Sequence, residues 1–242
     1  MGTRTYRTVL IGRGNVASHF LEALEDAGHQ VLSVGGRNRT QPIPKDADLY
    51  VIAVTDSAIQ SVAAEIGDVA GLVVHTAGSV AMSVLPQRNR GVLYPLQTFT
   101  KGQPVDMLQV PLFIESDGDI SFLREVAGQI SNCVTEMDSN RRRYLHLAAV
   151  FCCNFTNHMY RITEDMLARH AIPFSVMLPL IDETARKVHT LSPAQAQTGP
   201  AVRWNEEVMQ AQISLLEREE LRQLYQLMSK SIHYDKLQST ED

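Results

Sequence analysis

Cysteine is scarce in this chain and badly placed for cross-linking: Cys133, Cys152 and Cys153 are the only three among 242 residues. None is spaced C-x-x-C and the adjacent pair cannot easily bridge to itself. A disulfide framework is therefore excluded, no metal site is read, and reduced thiols in a cytoplasmic protein are expected. An excess of basic charge is also missing. Lys and Arg number 22 against 27 Asp and Glu, for a net charge of -5 and a pI near 5.9. That balance excludes a dedicated nucleic-acid binder. The one dense basic run, Arg141 to Arg143, reads as a solvated helix start. No apolar run approaches the length of a membrane span and no charged-then-apolar leader precedes the first apolar segment, so neither insertion nor export is expected. Internal repeats and low-complexity tracts are absent as well. What remains is 44% hydrophobic and 20% charged, the composition of an ordinary globular protein long enough for one large or two modest domains.

The stretch from Thr8 to Phe20, TVLIGRGNVASHF, organises the rest. A short apolar strand (Val9 to Ile11) breaks at Gly12, turns through Arg13, Gly14 and Asn15, and enters an apolar helical run at Val16 and Ala17. Gly12 permits a tight turn, Gly14 lets a pyrophosphate approach bare backbone, and the small Ala17 lets helix and strand pack closely. The helix start offers free N–H groups and a partial positive charge to a phosphate. The pattern is G-x-G-x-x-A, a dinucleotide fingerprint at the first strand of the chain, with Gly12, Arg13, Gly14, Asn15 and Val16 as cofactor contacts.

A second strand, Gln30 to Gly35, follows the helix that ends at Gly28. At its end an acidic residue would accept the ribose hydroxyls of NAD, and none is there. The chain continues instead as Gly36, Arg37, Asn38, Arg39. Two guanidinium groups beside an open glycine turn suit a 2′-phosphate, so Gly36, Arg37 and Arg39 point to NADP. Asp48 to Val54 is a third strand of the near-continuous apolar kind that is covered on both faces. Val54 and Thr55 at its carboxyl end are expected to line the cofactor, and Asp56 to cap the helix Ser57 to Ile66. A fourth strand, Gly71 to His75, brings His75 and Ser79 to the same edge. His75 is either a structural donor or a proton donor; Ser79, in a turn where nicotinamide would lie, is placed to touch substrate. Gly91 to Tyr94, Pro111 to Glu115, a helix over Ile120 to Ile130 and a last strand over Cys133 to Met137 complete an alternating pattern. It predicts an α/β fold with a doubly wound, mainly parallel sheet over residues 1–137.

From Asp138 apolar residues recur only at helical spacing, through Tyr144–Leu167, Val176–Leu191, Val208–Leu216 and Leu221–Ile232. An all-helical second domain over residues 138–242 is expected, its first helix capped by Ser139 or Asn140. On the helix from Arg141, residues His146, Asn157, Arg143, Arg161 and Asn154 fall within about 80° of one another. The remaining faces are apolar, so burial is expected, and the polar stripe then requires polar partners. A cleft between the two domains would supply them, with a small-molecule substrate there. Farther on, TGPAVRWN offers Arg203 as a fork for a substrate anion, Gly-Pro as a turn, and Asn205 as a helix cap. Apolar residues on several faces of the last helices fit a homodimer interface through the helical domain, and equally an internal core.

The motifs GRGNVA, AVTDSAI, HTAGS, YPLQTF, HLAAVFCCNF and TGPAVR together resemble a family of Rossmann-like NADP oxidoreductases with a helical carboxy-terminal domain of unassigned function. The wider group is similar to pyrroline-5-carboxylate reductases and to 6-phosphogluconate and 3-hydroxyisobutyrate dehydrogenases. The resemblance implies NADP(H) in the first domain, a dimerising helical second domain, and a site between them. It also implies that Asn154 matches the asparagine that faces the nicotinamide in hydroxyacid members, with Asn157 beside it. Those members carry a catalytic lysine four residues before that asparagine, where this chain has Val150; His146 is the nearest substitute as acid or base. The expectation is an NADP(H)-dependent oxidoreductase of a small anionic carbonyl, hydroxy or imine compound. The missing lysine keeps open a non-catalytic NADP(H) sensor or partner protein.

Overall fold

In a computed structural model, residues 4–35 and 42–238 are described. Gly36, Arg37 and Arg39 lie outside them. Seven strands form one sheet in the order β2-β1-β3-β4-β5-β6-β7: β1 (Arg7–Ile11), β2 (Gln30–Val34), β3 (Leu49–Ile52), β4 (Leu72–His75), β5 (Arg90–Pro95), β6 (Leu112–Ser116) and β7 (Val134–Glu136). β1 pairs parallel with both β2 and β3, and β4 and β5 continue in the same sense. β6 turns antiparallel to β5, and β7 follows it parallel. Because β2 lies on one side of β1 and β3 on the other, the strand order reverses at β1, which opens a crevice beyond their carboxyl ends.

The apolar patterning explains the layers. β3 and β4 are buried along their whole length, as strands covered on both faces must be. One side chain set of the sheet (Leu10, Val51, Val74) packs with Phe20 and Leu24 of α1 (Asn15–Asp26) and Leu123 and Val126 of α3 (Ile120–Ile130). The other set (Val9, Ile11, Ile52, Val73) packs with Ile59, Val62 and Ile66 of α2 (Ile59–Ile66). Full burial of a side chain such as Phe20 or Leu24 contributes about 1.5–3 kcal/mol. The sheet is thus doubly wound and mainly parallel, as the alternation predicts.

Every element after β7 is helical: α4 (Ser139–Ala149), a π-helical segment (Val150–Phe155), α5 (Thr156–Ala168), α6 (Leu178–Lys187), α7 (Pro193–Ala196), α8 (Glu206–Ser214) and α9 (Glu219–Gln238), with a 3₁₀ turn at Phe174–Met177. By contacts the chain divides into two compact units, one up to Tyr160 and one from Arg161. The change from mixed to helical structure falls earlier, at Asp138. In the second unit, a Tyr225–Gln212 hydrogen bond of 2.5 Å joins α9 to α8, an Arg169–Glu217 ion pair ties the end of α5 to the turn between them, and Met209 is the largest buried apolar residue among those described. No described helix is long and apolar enough to cross a membrane.

Three local expectations are corrected. The α4 cap is Asp138, whose carboxylate accepts from the Arg141 N–H at 2.9 Å, because Ser139 is used elsewhere. Asp56 does not cap a helix: it opens a 3₁₀ turn with Thr55 at the cap position, and its carboxylate accepts from the Ser79 hydroxyl at 2.5 Å. The long helix from Arg141 is not largely buried. Leu147, Phe151 and Phe155, which argued for burial, are exposed among the described residues, as is Tyr144, while Leu145 and Met159 are half-buried.

Candidate active site at the carboxyl edge of the sheet

The crevice beside β1 is built by close backbone approach. Gly12 has φ +142°, and a Cβ there would meet the Ala53 carbonyl oxygen at 2.1 Å. Only glycine allows the end of β1 to run this near the end of β3. The turn is tied on both sides: the Gly12 N–H donates to Val34 O at 3.0 Å and the Ala53 N–H to Ile11 O at 2.8 Å. Ala17 is 2% exposed and its Cβ lies 3.4 Å from where a Gly12 side chain would begin, which shows why a small residue is needed there.

Gly14 occupies the amino-terminal cap position of α1 with no side-chain cap bond, and a Cβ on it would meet nothing within 4 Å. The first amides of a twelve-residue helix therefore face open space with their partial positive charge uncompensated. Arg13 is exposed, and its guanidinium lies 3.3 Å from the position a Cβ on Gly35 would take, at the carboxyl end of β2. Val54 is half-buried against the second core cluster and Thr55 is exposed. The arrangement is an anion cradle with a planar cation beside it, and it fits the pyrophosphate and 2′-phosphate of NADP.

Asn15 uses its side chain structurally, donating to Phe99 O at 2.9 Å. One turn later, the ring nitrogens of His19 lie 2.8 Å from Asn15 O and 3.0 Å from Gln103 O. Carbonyls only accept, so both bonds need both ring N–H groups. Burial opposes that charge, but the two carbonyls and nearby Glu22 outweigh it and raise the His19 pKa. The pair of ties holds the loop after β5 against the start of α1.

On the other side of the crevice, α4 presents Ser139, Arg142 and His146 at i, i+3 and i+7, one helical face. Ser139 Oγ donates to Glu115 Oε2 at 2.7 Å and accepts from the Met82 N–H at 2.9 Å. Arg142 is fully buried; it donates to Glu115 Oε2 at 2.5 Å and to Val80 O at 2.6 Å. The run Arg141–Arg143 is thus not simply a solvated start: its middle member is the largest fully buried side chain among the described residues, while Arg143 is exposed beside the Tyr144 ring. Through Val80, Arg142 also fixes the loop that follows β4.

His75 ends β4 at 0% exposure, its Nδ1 accepting from the Ala77 N–H at 3.2 Å. Burial first, and then the Arg142 charge, lower its pKa to about 4, against smaller opposing contributions from the Ala81 backbone, Glu115 and Asp56. It is neutral at pH 7 and enclosed, and its Nε2 has no hydrogen-bond partner among the described residues. Ser79 is exposed but held to Asp56. His146 is half-buried, and the Tyr94 hydroxyl lies 3.0 Å from its Nδ1. Asn154 and Asn157 are exposed, and Val150 begins the π-helical segment. In the second unit, Arg203 is exposed on a loop where Asn205 caps α8 and Trp204 donates to Glu206.

Gly12, Arg13, Gly14, His75, Ser79 and His146 are thus gathered at one sheet edge by β1, β4 and α4. Sequence reasoning missed Tyr94, Arg142 and Glu115. The spacing of Arg142 four residues before His146 was a usable signal for the first turn of α4; nothing local marks Glu115.

A model for a domain of unknown function (DUF2520) matches residues 110–232. The chain belongs to that family. Among solved structures the chain is similar to the "putative NADP oxidoreductase BF3122" from Bacteroides fragilis. That protein is 40% identical with a TM-score of 0.87, over 95% of this chain and 98% of its own. Pyrroline-5-carboxylate reductase from Streptococcus pyogenes is 12% identical with a TM-score of 0.63, over 95% and 99%. An imine reductase from Myxococcus stipitatus in complex with NADP+ is 14% identical with a TM-score of 0.57, over 97% and 94%. The last two likenesses establish the Rossmann-like fold. No curated protein sequence matches the chain.

Proposed function

We propose that this DUF2520 protein is an NADP(H)-dependent oxidoreductase acting on a small anionic carbonyl, hydroxy or imine compound. The observation that carries the reading is the uncapped amino terminus of α1, open above Gly14, with the Arg13 guanidinium at the end of β2. A helix end left without its own carboxylate, beside a fork-shaped cation, matches a pyrophosphate and a 2′-phosphate in charge. The 40% identity to a protein named as an NADP oxidoreductase supports the same reading.

The nucleotide, when bound, supplies or accepts the hydride. The chain's own residues do the rest. Gly12, Gly14 and Val16 offer backbone to the phosphates, Arg13 holds the 2′-phosphate together with Arg37 and Arg39, and Val54 and Thr55 line the ring system. Ser79 and His146 orient the reacting group, Asn154 and Asn157 contribute amides, and Arg203 attracts the substrate anion. The exposed Leu180, Leu215 and Leu227 of the second unit support self-association as a homodimer, which light scattering tests; a strict monomer would reject it.

Equilibrium titration with NADPH and NADH tests the cofactor. NADPH is expected to bind more tightly, and Arg13→Ala to weaken NADPH selectively by about tenfold or more, the scale of one charge-assisted pair. Equal losses for both nucleotides would refute the 2′-phosphate assignment. Loss of nicotinamide absorbance with a panel of keto acids and cyclic imines tests turnover. Val150 in place of a lysine favours the second reading, a nucleotide sensor, and binding without any turnover would select it.

A further inference from the structure

The Tyr94–His146 pair carries a consequence for substrate choice. Tyr94, the next-to-last residue of β5, is 7% exposed and packs with Met82, Val92, Phe113 and Leu145. Burial raises the pKa of its phenol, with the Arg142 charge only partly opposing, so the hydroxyl keeps its proton. Among described residues that hydrogen has one acceptor, His146 Nδ1 at 3.0 Å. If Nδ1 carried a hydrogen instead, the phenol hydrogen would be left without a partner in an apolar surround.

The geometry is held from a third side. A Cβ on Gly78 would lie 2.6 Å from His146 Nδ1 and 2.8 Å from Tyr94 Cζ, so the backbone after β4 is pressed against both rings. The rings meet edge-on at 77° with centroids 5.9 Å apart. Neither ring is free to swing away, and no described residue bonds the His146 Nε2.

We infer that Tyr94 fixes His146 as the Nε2–H tautomer, so that the imidazole meets the substrate as a hydrogen-bond donor. Tyr94 is thus a positioning residue that acts through His146. A neutral N–H donor pairs with an oxygen lone pair and repels the N–H of a protonated imine. The site therefore selects a carbonyl or hydroxyl oxygen, a narrowing that rests on the oxidoreductase reading above. The tautomer itself does not rest on it.

Long-range proton–nitrogen NMR of the full chain labelled with ¹⁵N-histidine, assigned with His146→Gln, tests the pair at mildly alkaline pH. The expected spectrum has Nε2 protonated and Nδ1 bare, with Tyr94→Phe producing a mixture of tautomers. A protonated Nδ1 in the unmodified chain overturns the inference, and that spectrum decides the matter even if Tyr94→Phe does not fold. An unchanged tautomer in a folded Tyr94→Phe overturns it too. In turnover, keto acids are expected to outpace cyclic imines, and Tyr94→Phe to lower kcat for keto acids about tenfold with NADPH affinity unchanged. Turnover of cyclic imines alone overturns the substrate selection. Absence of NADPH binding overturns the functional reading and the selection with it, while the nitrogen spectrum still reports separately on the tautomer.

Discussion

Two helices that border this sheet, α1 and α4, treat their amino termini in opposite ways. At α4, Asp138 caps the Arg141 N–H, and that bond chiefly holds its carboxyl below the usual range. The helix face behind it is filled by the Ser139–Arg142–Glu115 network. At α1, Gly14 supplies no side chain, Asn15 turns its amide to Phe99, and the end of the helix stays open. The same backbone chemistry is closed with charge in one place and left exposed in the other. At α4 the chain brings its own anion; at α1 the open end suits an anion from outside.

The comparison breaks most severely on the closed side. Arg142→Ala is expected to destabilise the protein by about 3–5 kcal/mol in urea unfolding, since it strands the Glu115 carboxylate in a largely buried site. A loss below about 1 kcal/mol would mean that water reaches Glu115 and that the network is not closed.

Acid tests the same wall through His75. Its folded pKa of about 4 lies below the ordinary 6.5, so between those values the unfolded chain binds a proton that the folded chain refuses. Stability is therefore full above pH 6.5 and falls as the pH drops toward 4, by about 3 kcal/mol in total from this group. Urea midpoints measured across that window, in the unmodified chain and in His75→Gln, isolate the contribution; identical slopes would remove it.

The open side is sharpened by its two glycines. Gly12→Ala is expected to lose nucleotide binding and about 2 kcal/mol of stability, because φ +142° and the Ala53 carbonyl both oppose a side chain. Gly14→Ala has space and an ordinary backbone, so stability should stay within about 0.5 kcal/mol. NADPH affinity should nevertheless fall several-fold, read by titration. An unchanged affinity would show that phosphate does not approach Gly14.

Much of this was legible in advance where the chemistry is local. The glycine spacing at Gly12 and Gly14, the apolar runs of β3 and β4, and the switch to helical periodicity at Asp138 each depend on neighbours within a few residues. The misreadings share a different cause. Asp56 has the position of a helix cap, yet it serves Ser79, 23 residues away. Arg142 looks like one of three solvated cations, yet its partner Glu115 sits 27 residues earlier on another element. Phe151 and Phe155 suggested burial by type, but burial depends on what lies opposite, and among the described residues both stay exposed, packed edge-on against each other.

By itself, then, the order of residues determined the backbone: where strands stop, where only glycine can turn, and that α1 begins without an anion of its own. These follow from steric limits and hydrogen bonding over a few residues. Only the tertiary structure decided which polar groups meet, making Arg142 a buried cation, His75 a neutral one-sided acceptor, and Tyr94 the partner of His146. Electrostatics and hydrogen bonding act through space, and the distances that set them exist only once β4, β5, β6 and α4 have come together.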